Sequence, residues 1–458
     1  MLSKMCWCLP IVSFLSHALD DTAIEQLTVT ATRHEQPSQA VPASLTVLSK
    51  DRLNKSGITN LLKLDSGIVP SLRVQTIGSG ASLTAIAIRG NGPTDPGQVT
   101  KNGPVALYKD GFLVSRAQGT MAEMLGIRQI EILRGPQGTL FGRNTTGGVV
   151  NLVSEAPSGV FQLEQSVGIE DNDGQRFSTH LQVPEVFGVK SLVNYVYAKR
   201  DGWLNNTAPG EEDFNAYKKN GGELRLSKSV SDSLELEYFL ERSRDKGTPI
   251  YYQLYQDLIG TIGSEVGRVT ETRYDISPLE MSLTEQSAQG LTITKDFSTF
   301  EIKSKTGYRK LDEQTFINYG GALYSQGFVD ITNVDTRLFT QEVQLLGKSD
   351  SVDWLLGFFY LDEEVAERDQ VAFSRDTFGV ITGTVNGPMP LTTFGIPQRV
   401  VDAETQSRAL FAQATWTPEL NENLHLTVGL RYTEEEKNGS GNDKSIGLVD
   451  QLTNKLLW

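Results

Sequence analysis

Between residues 130 and 153 the chain reads Ile-Glu-Ile-Leu-Arg-Gly-Pro-Gln-Gly-Thr-Leu-Phe-Gly-Arg-Asn-Thr-Thr-Gly-Gly-Val-Val-Asn-Leu-Val, and this stretch constrains the fold more than any other. Two short apolar runs, Ile130 to Leu133 and Val149 to Val153, bracket a centre built on Gly135, Pro136, Gly138, Gly142, Asn144, Gly147 and Gly148. Glycine at this density lets backbone turn tightly and lie close against another surface, where a Cβ would clash. The flanking runs read as strands and the centre as an ordered loop, not a flexible linker.

The chain has 458 residues, enough for a large core, and its formal net charge is -14. An acidic balance of that size disfavours a nucleic-acid partner. With 21% charged and 8% aromatic residues the composition argues against disorder. Outside the N-terminus no run of eighteen apolar residues suggests a membrane-crossing helix. A membrane is still open to this chain, because transmembrane strands are about ten residues long and alternate in polarity. Residues 1–18 have the layout of an export signal: Lys4, an apolar stretch from Trp7 to Leu15, and Ser16-His17-Ala18 as a cleavage site. Both cysteines, Cys6 and Cys8, fall in this leader, so the processed chain is expected to hold neither a disulfide nor a thiolate metal site.

From about residue 160 to 458 the pattern turns to period two. Phe161, Leu163, Val167 and Ile169 alternate with Gln162, Glu164, Ser166 and Glu170, and Leu234, Leu236, Tyr238 and Leu240 alternate with Glu235, Glu237, Phe239 and Glu241. Leu424, Leu426, Val428, Leu430 and Tyr432 do the same against His425, Thr427, Gly429, Arg431 and Thr433. Roughly eleven such segments follow one another, among them 160–170, 299–311, 334–347, 351–365, 403–417 and 421–436. Alternation suits a membrane barrel with a wet interior, and equally a soluble sandwich with its apolar faces inward. Short connections at Asp171-Asn-Asp-Gly174 and Asn421-Glu-Asn423, set against long polar ones near 201–219, 245–287 and 366–400, add the two-rim asymmetry of an outer-membrane barrel.

Residues 35–155 read as a small α/β domain. Ser44 to Leu48 suits a strand, and Ser49 suits the N-cap of a following helix. Ala85-Ile-Ala-Ile-Arg-Gly90 is a strand ending in a turn, and Asp110-Gly111 between the apolar runs of Val105 to Val114 is a hairpin signal. This order of features, closed by the glycine-rich stretch, closely resembles the plug domain of TonB-dependent outer-membrane receptors. Ahead of it, within residues 20–34, Glu25-Gln-Leu-Thr-Val-Thr-Ala-Thr-Arg33 resembles that family's TonB box, with a first strand of the plug as the other reading. An extended β-prone peptide near a terminus can add itself as a strand to a partner's sheet.

The resemblance implies a mainly β fold: a plug followed by a partial antiparallel transmembrane β-barrel, about eleven of the family's twenty-two strands. It implies an energy-coupled importer in the outer membrane of a Gram-negative bacterium, for which a ferric siderophore is the leading ligand class. Its partners would be TonB with the inner-membrane energising complex, outer-membrane lipid and an extracellular small molecule. Glu25, Gln26, Leu27, Thr28, Val29 and Thr30 would contact TonB. Arg89 and Arg134, each between an apolar strand and a glycine, would pair with barrel carboxylates, Glu342 being the candidate in this chain. Gln75 and Arg116 lie in loops expected to touch ligand. Without the family, a solvent-exposed strand end explains either arginine.

No enzyme motif survives inspection, and no covalently bound cofactor is expected. Gly142-Arg-Asn-Thr-Thr-Gly147 begins like a phosphate loop, but Gly148 and Val149 stand where Lys and Ser/Thr are required. The four histidines, His17, His34, His180 and His425, have no partner at metal-ligand spacing. Asp171-Asn-Asp-Gly174 lacks the downstream Glu of a calcium loop and reads as a polar turn. Two other classes stay open: a truncated, non-transporting remnant, and a secreted β-rich binding protein. Ligand identity is not legible.

Overall fold

The computed structural model describes residues 28–30, 33, 36–76, 84–94, 97–114, 116, 124–207, 212–248, 251, 270–272, 282–318, 328–373, 394–421, 423–442, 447–450 and 455–457. The leader with Cys6 and Cys8, together with Glu25, Gln26 and Leu27, lies outside them.

Strand β1 (Thr28–Val29) pairs antiparallel with β2 (Gln36–Pro37) at the start of the plug. Next come β3 (Ser44–Ser49) and α1 (Lys50–Lys55), whose N-cap Ser49 accepts from the Arg52 amide, satisfying one orphan donor of the first turn. A 3₁₀ helix, Leu61–Ser66, ends on Gly67 in the left-handed region and buries Leu61 and Leu64. Strands β4 (Leu72–Thr76) and β5 (Thr84–Ile88) form a separate antiparallel pair. The expected hairpin is β6 (Val105–Lys109) and β7 (Phe112–Leu113), with Asp110 and Gly111 both at positive φ, 52° and 79°. The glycine-rich stretch supplies β8 (Ile127–Arg134), the short helix α2 (Gly138–Phe141) and β9 (Gly148–Ser154). Together they build one sheet in the order β3-β8-β9-β6-β7, in which only the β6–β9 pairing among the longer strands is parallel. One face buries Leu48, Leu61, Leu64, Leu72, Ile88, Ile130 and Ile132 in the plug's own core.

The wall then runs as β10 (Gln162–Glu170), β11 (Gly174–Val186) and β12 (Val189–Arg200). Two-residue strands β13 (Asn205–Asn206) and β16 (Glu271–Thr272) pair with each other in the loops. The long strands continue with β14 (Tyr217–Ser231), β15 (Leu234–Gly247), β17 (Ser282–Asp296), β18 (Phe300–Asn318), β19 (Phe328–Lys348), β20 (Val352–Phe373), β21 (Phe394–Trp416) and β22 (Leu426–Asn442). The short strands β23 (Gly447–Asp450) and β24 (Lys455–Leu457) extend the sheet beside β21. Every long strand is antiparallel to its sequence neighbour, giving the eleven-strand wall that alternation predicts. It is an open sheet: β10 and β22 are not paired with each other. Among the described residues no helix is long and apolar enough to cross a membrane.

Two expectations are corrected. Strands β18 to β21 run well past the alternating segments at the long-loop rim, as β20 does from residue 365 to Phe373. Polar outward residues begin at Asp362 and Glu364, just inside the alternating segment, and continue with Arg368 beyond it, so the hydrophobic period disappears while the backbone ladder continues. The Asp171–Gly174 turn also sits on the rim of the long connections, because β10 and β11 are hairpin neighbours one strand before the 201–216 loop. The opposite rim carries the tight turns at 187–188, 232–233, 297–299 and 349–351.

Candidate coupling site and plug–wall contacts

The segment expected to meet TonB is docked in the plug. Val29 is fully buried in β1, and three polar side chains from β8 and β9 hold the backbone on either side of it. Gln129 Nε2 donates to the Thr28 carbonyl at 2.9 Å, and the Thr30 amide donates to Glu131 Oε1 at 2.9 Å. Asn151 Nδ2 donates to the Glu131 carboxylate at 3.0 Å and to Thr30 Oγ1 at 3.3 Å. Gln129 also donates to Glu131 at 2.7 Å and the Thr30 hydroxyl lies 3.3 Å from it, so a carboxylate with no solvent exposure is held by four donors. These side chains do what a neighbouring strand would do for Thr28 and Thr30.

Three residues on, Arg33 adopts φ 68° and crosses from plug to wall. Its guanidinium pairs with Glu342 of β19 at 3.2 Å, donates to the Gly111 carbonyl, and lies 4.6 Å from the Phe141 ring centroid and 5.4 Å from that of Tyr108. Burial pushes the Tyr108 phenol up to about 12, so it stays a neutral donor to the Phe141 carbonyl. Glu342, expected to pair with Arg89 or Arg134, joins wall to plug through Arg33. Neither Arg89 nor Arg134 reaches a carboxylate among the described residues. Arg134 donates to Ser71 Oγ and Thr46 Oγ1, each at 2.5 Å, and Arg89 donates to Ser44 Oγ. The reason is placement: both stand beside β3, each within reach of Ser44, away from the hairpin that faces β19. Partial burial and the neighbouring Arg89 charge hold the Arg134 guanidinium below its ordinary value.

The Asp110–Gly111 turn makes the densest ionic contact with the wall. Lys109, fully enclosed, bridges Glu223 of β14 at 3.0 Å and Glu241 of β15 at 2.6 Å. Asp110 pairs with Arg225, which also reaches Glu223 at 3.0 Å. Burial alone would raise the Asp110 carboxyl, but Arg225 and Lys109 outweigh it and hold it below the usual range. For Lys109, burial is likewise outweighed by Glu223 and Glu241, and the ammonium is held up. A third bridge joins Arg116 to Glu363 of β20 in a bidentate pair, 3.0 and 2.6 Å, with the Val99 carbonyl as further acceptor. Arg116, expected in a ligand-facing loop, is buried and paired with the wall. Gln75 is exposed on β4.

The glycine-rich loop presses its backbone on the wall. Arg431 of β22 lies so close to Gly142 that an added Cβ would stand 2.7 Å from it, and it also donates to the Thr139 carbonyl. Arg143 pairs with Glu435 at 2.6 Å. Leu140 and Phe141 of α2 pack with Leu346, Leu355 and Phe411 of the wall, each such side chain contributing about 1.5–3 kcal/mol on full burial. Gly148, at φ 149°, leaves no room for a Cβ, which would overlap the Leu133 carbonyl oxygen in the β8–β9 ladder. Gly148→Ala is expected to cost about 1–3 kcal/mol through strain at that position, read as a lower urea midpoint for the plug. An unchanged midpoint would refute the crowding.

Sequence reasoning missed Arg33, Lys109, Asp110 and Glu131. Arg33 follows directly on the extended Thr28–Thr32 segment, and Lys109-Asp110 flank a recognised turn. Charges at such positions in a lumen-facing domain were the available signal.

This arrangement, a plug whose leading strand is clasped by its own side chains and whose turns are ion-paired to a β wall, is the plug-and-barrel architecture of an outer-membrane receptor. The family models agree: "TonB-dependent Receptor Plug Domain" matches residues 37–149 and "TonB dependent receptor-like, beta-barrel" matches 216–455, and the chain belongs to the TonB-dependent receptors, an outer-membrane family of receptors and transporters. Among curated relatives, the pesticin receptor of Yersinia pestis is 27% identical over 244 residues, 52% of this chain and 35% of that protein. The pesticin receptor of Yersinia enterocolitica matches to the same extent. The matched segment thus spans about a third of these relatives' length. Among solved structures, the ferric yersiniabactin uptake receptor of Yersinia pestis superposes with TM-score 0.62 at 17% identity, over 87% of this chain and 61% of that one. The ferripyoverdine receptor of Pseudomonas aeruginosa gives 0.70 at 15% identity, over 92% and 56%. These two share the fold.

Proposed function

We propose that this chain forms the plug and part of the wall of a receptor that imports a scarce extracellular ligand, a ferric siderophore, with energy delivered through TonB. The observation that carries the reading is the docked Thr28–Thr30 strand, whose backbone groups are held by side chains that a partner strand can replace. Ligand binding at the long-loop rim, with Gln75 among its contacts, frees residues 25–32. They then add as a strand to TonB's sheet, through Glu25 to Thr30. Force from the inner-membrane proton gradient shifts the plug, and water takes over its polar contacts as they part. No covalent step and no bound cofactor is involved. The solved relatives named for ferric yersiniabactin and ferripyoverdine support iron chelates as the ligand class. In this reading Arg89 and Arg134, two neighbouring cations held only by hydroxyls among the described residues, take wall carboxylates outside those residues.

The test is radiolabelled iron uptake in receptor-deficient cells carrying this protein, supplied in turn with hydroxamate, catecholate and phenolate chelates. One class should be taken up, only in cells that have TonB, and Thr30→Pro should abolish uptake, since proline cannot supply the amide donor that a new strand pair needs. TonB-independent uptake, or no uptake of any class, would overturn the proposal.

A further inference from the structure

The outward face of β12, β14 and β15 carries a cationic ladder that the import reading does not use. Register fixes its rungs. Val193, Leu224 and Leu240 are lateral partners, then Tyr195, Gly222 and Arg242, then Tyr197, Asn220 and Arg244, and last Lys199, Lys218 and Lys246. The ladder therefore climbs from an apolar rung, past two tyrosines, to three lysines abreast at the long-loop end. Neighbouring strands are about 4.8 Å apart and successive same-face residues about 6.7 Å, so the five cations lie within one small patch. Like charges directly opposite each other in a sheet destabilise it unless something anionic compensates. Within the chain, compensation is nearly absent: Arg244 pairs with Glu285 at 2.8 Å, whereas Lys199, Lys218, Lys246 and Arg242 have no ion pair among the described residues. Elsewhere at the same rim the wall balances itself, with Lys310 on Asp312 at 2.7 Å, Arg337 on Glu364 at 3.5 Å and Arg368 on Asp402 at 2.7 Å. An excess of four cations stands out on a protein of net charge -14.

We infer that this patch binds the phosphate groups of a phosphorylated lipid headgroup in the outer leaflet, an inference that rests on the membrane reading of the wall. The apolar rung and tyrosines below it place the lysines where an acyl chain ends and a headgroup begins, since tyrosine favours the membrane–water interface. A soluble anion would gain the charges but not the apolar surface that continues beneath them.

The experiment is native mass spectrometry of the full chain in detergent micelles, titrated with lipid A bearing its phosphates, with the same lipid A dephosphorylated, and with inorganic phosphate. The phosphorylated lipid should bind most tightly. The triple variant Lys199→Gln, Lys218→Gln, Lys246→Gln should lose about a hundredfold in affinity, and Lys218→Gln alone about fivefold, which keeps the test open should the triple variant misfold. Lys310→Gln with Arg337→Gln and Arg368→Gln should bind as the wild type does. Equal binding of the dephosphorylated lipid, of inorganic phosphate, or by the lysine variants would each overturn the proposal. Failure of the underlying membrane reading shows separately, as a folded chain that stays in solution when detergent is removed.

Discussion

Glu131→Ala should release the coupling strand. In a chain with Cys6 and Cys8 replaced by Ser, a cysteine introduced at Val29 should react with a polar maleimide at least about tenfold faster once Glu131 is gone. The Glu131 carboxylate receives the Thr30 amide, Gln129 and Asn151 at 2.7 to 3.0 Å. Hydrogen bonds to a charged group contribute about 1.5–3 kcal/mol each, and removal of their common acceptor leaves buried donors unsatisfied. Beyond the clasp, β1 is held by the burial of Val29 and by a pairing with β2 only two residues long. Glu131→Gln should fall between the two, because its amide offers one oxygen and brings a competing donor. A cysteine at Leu48, equally buried in the plug core, should stay protected in every variant and so exclude general unfolding. If Val29→Cys labels at the same slow rate with and without Glu131, the clasp is not what holds the segment. The functional weight of the result lies in competition: Thr28 C=O and Thr30 N–H are the groups a partner strand would need, and Gln129 and Glu131 occupy both.

Much of this fold was written in periodicity and turn chemistry. Alternation found the eleven wall strands because lipid and lumen impose opposite polarities on successive residues. It failed at the long-loop ends, where water wets the outer face and nothing forces residues such as Asp362 to be apolar. Ser49 as an N-cap and Asp110-Gly111 as a hairpin turn were legible since each answers a local backbone demand. The ion pairs were not. Choosing among arginines as the partner of Glu342 needs the three-dimensional path of residues 30–36, and Arg33 gets there through a positive φ that sequence did not disclose. The Arg116–Glu363 bridge was not legible for the same reason, since it joins residues far apart in sequence. Family resemblance located the plug and the wall but carried the pairing to Arg89 and Arg134, whose described partners are hydroxyls.

Removing Lys109 should loosen the plug from the wall by about 3–5 kcal/mol, the range found when one partner of a buried ion pair is deleted. Lys109→Ala leaves Glu241 without its 2.6 Å partner and Glu223 with Arg225 and the Asn194 amide, in a region where neither carboxylate meets bulk water. The plug should then become cleavable by protease at lower urea than the wild type, while the wall keeps its detergent-stable mobility. The double variant Lys109→Met, Glu241→Leu separates two explanations. If the cost arises from stranding a charge, the double variant should recover most of the loss, because an apolar pair replaces an ionic one at little net expense. If instead the ammonium itself is what positions the hairpin, single and double variants should be equally loose, and the charge-stranding account fails. The distinction bears on transport. A plug held by stranded-charge penalties stays shut while dry and weakens once water enters, since hydration removes the penalty for each separated ion. The clasp at Glu131 and the bridge at Lys109 would then act in series, the first setting when the segment emerges and the second how far a pull on Arg33 must open the lumen before the hairpin lets go.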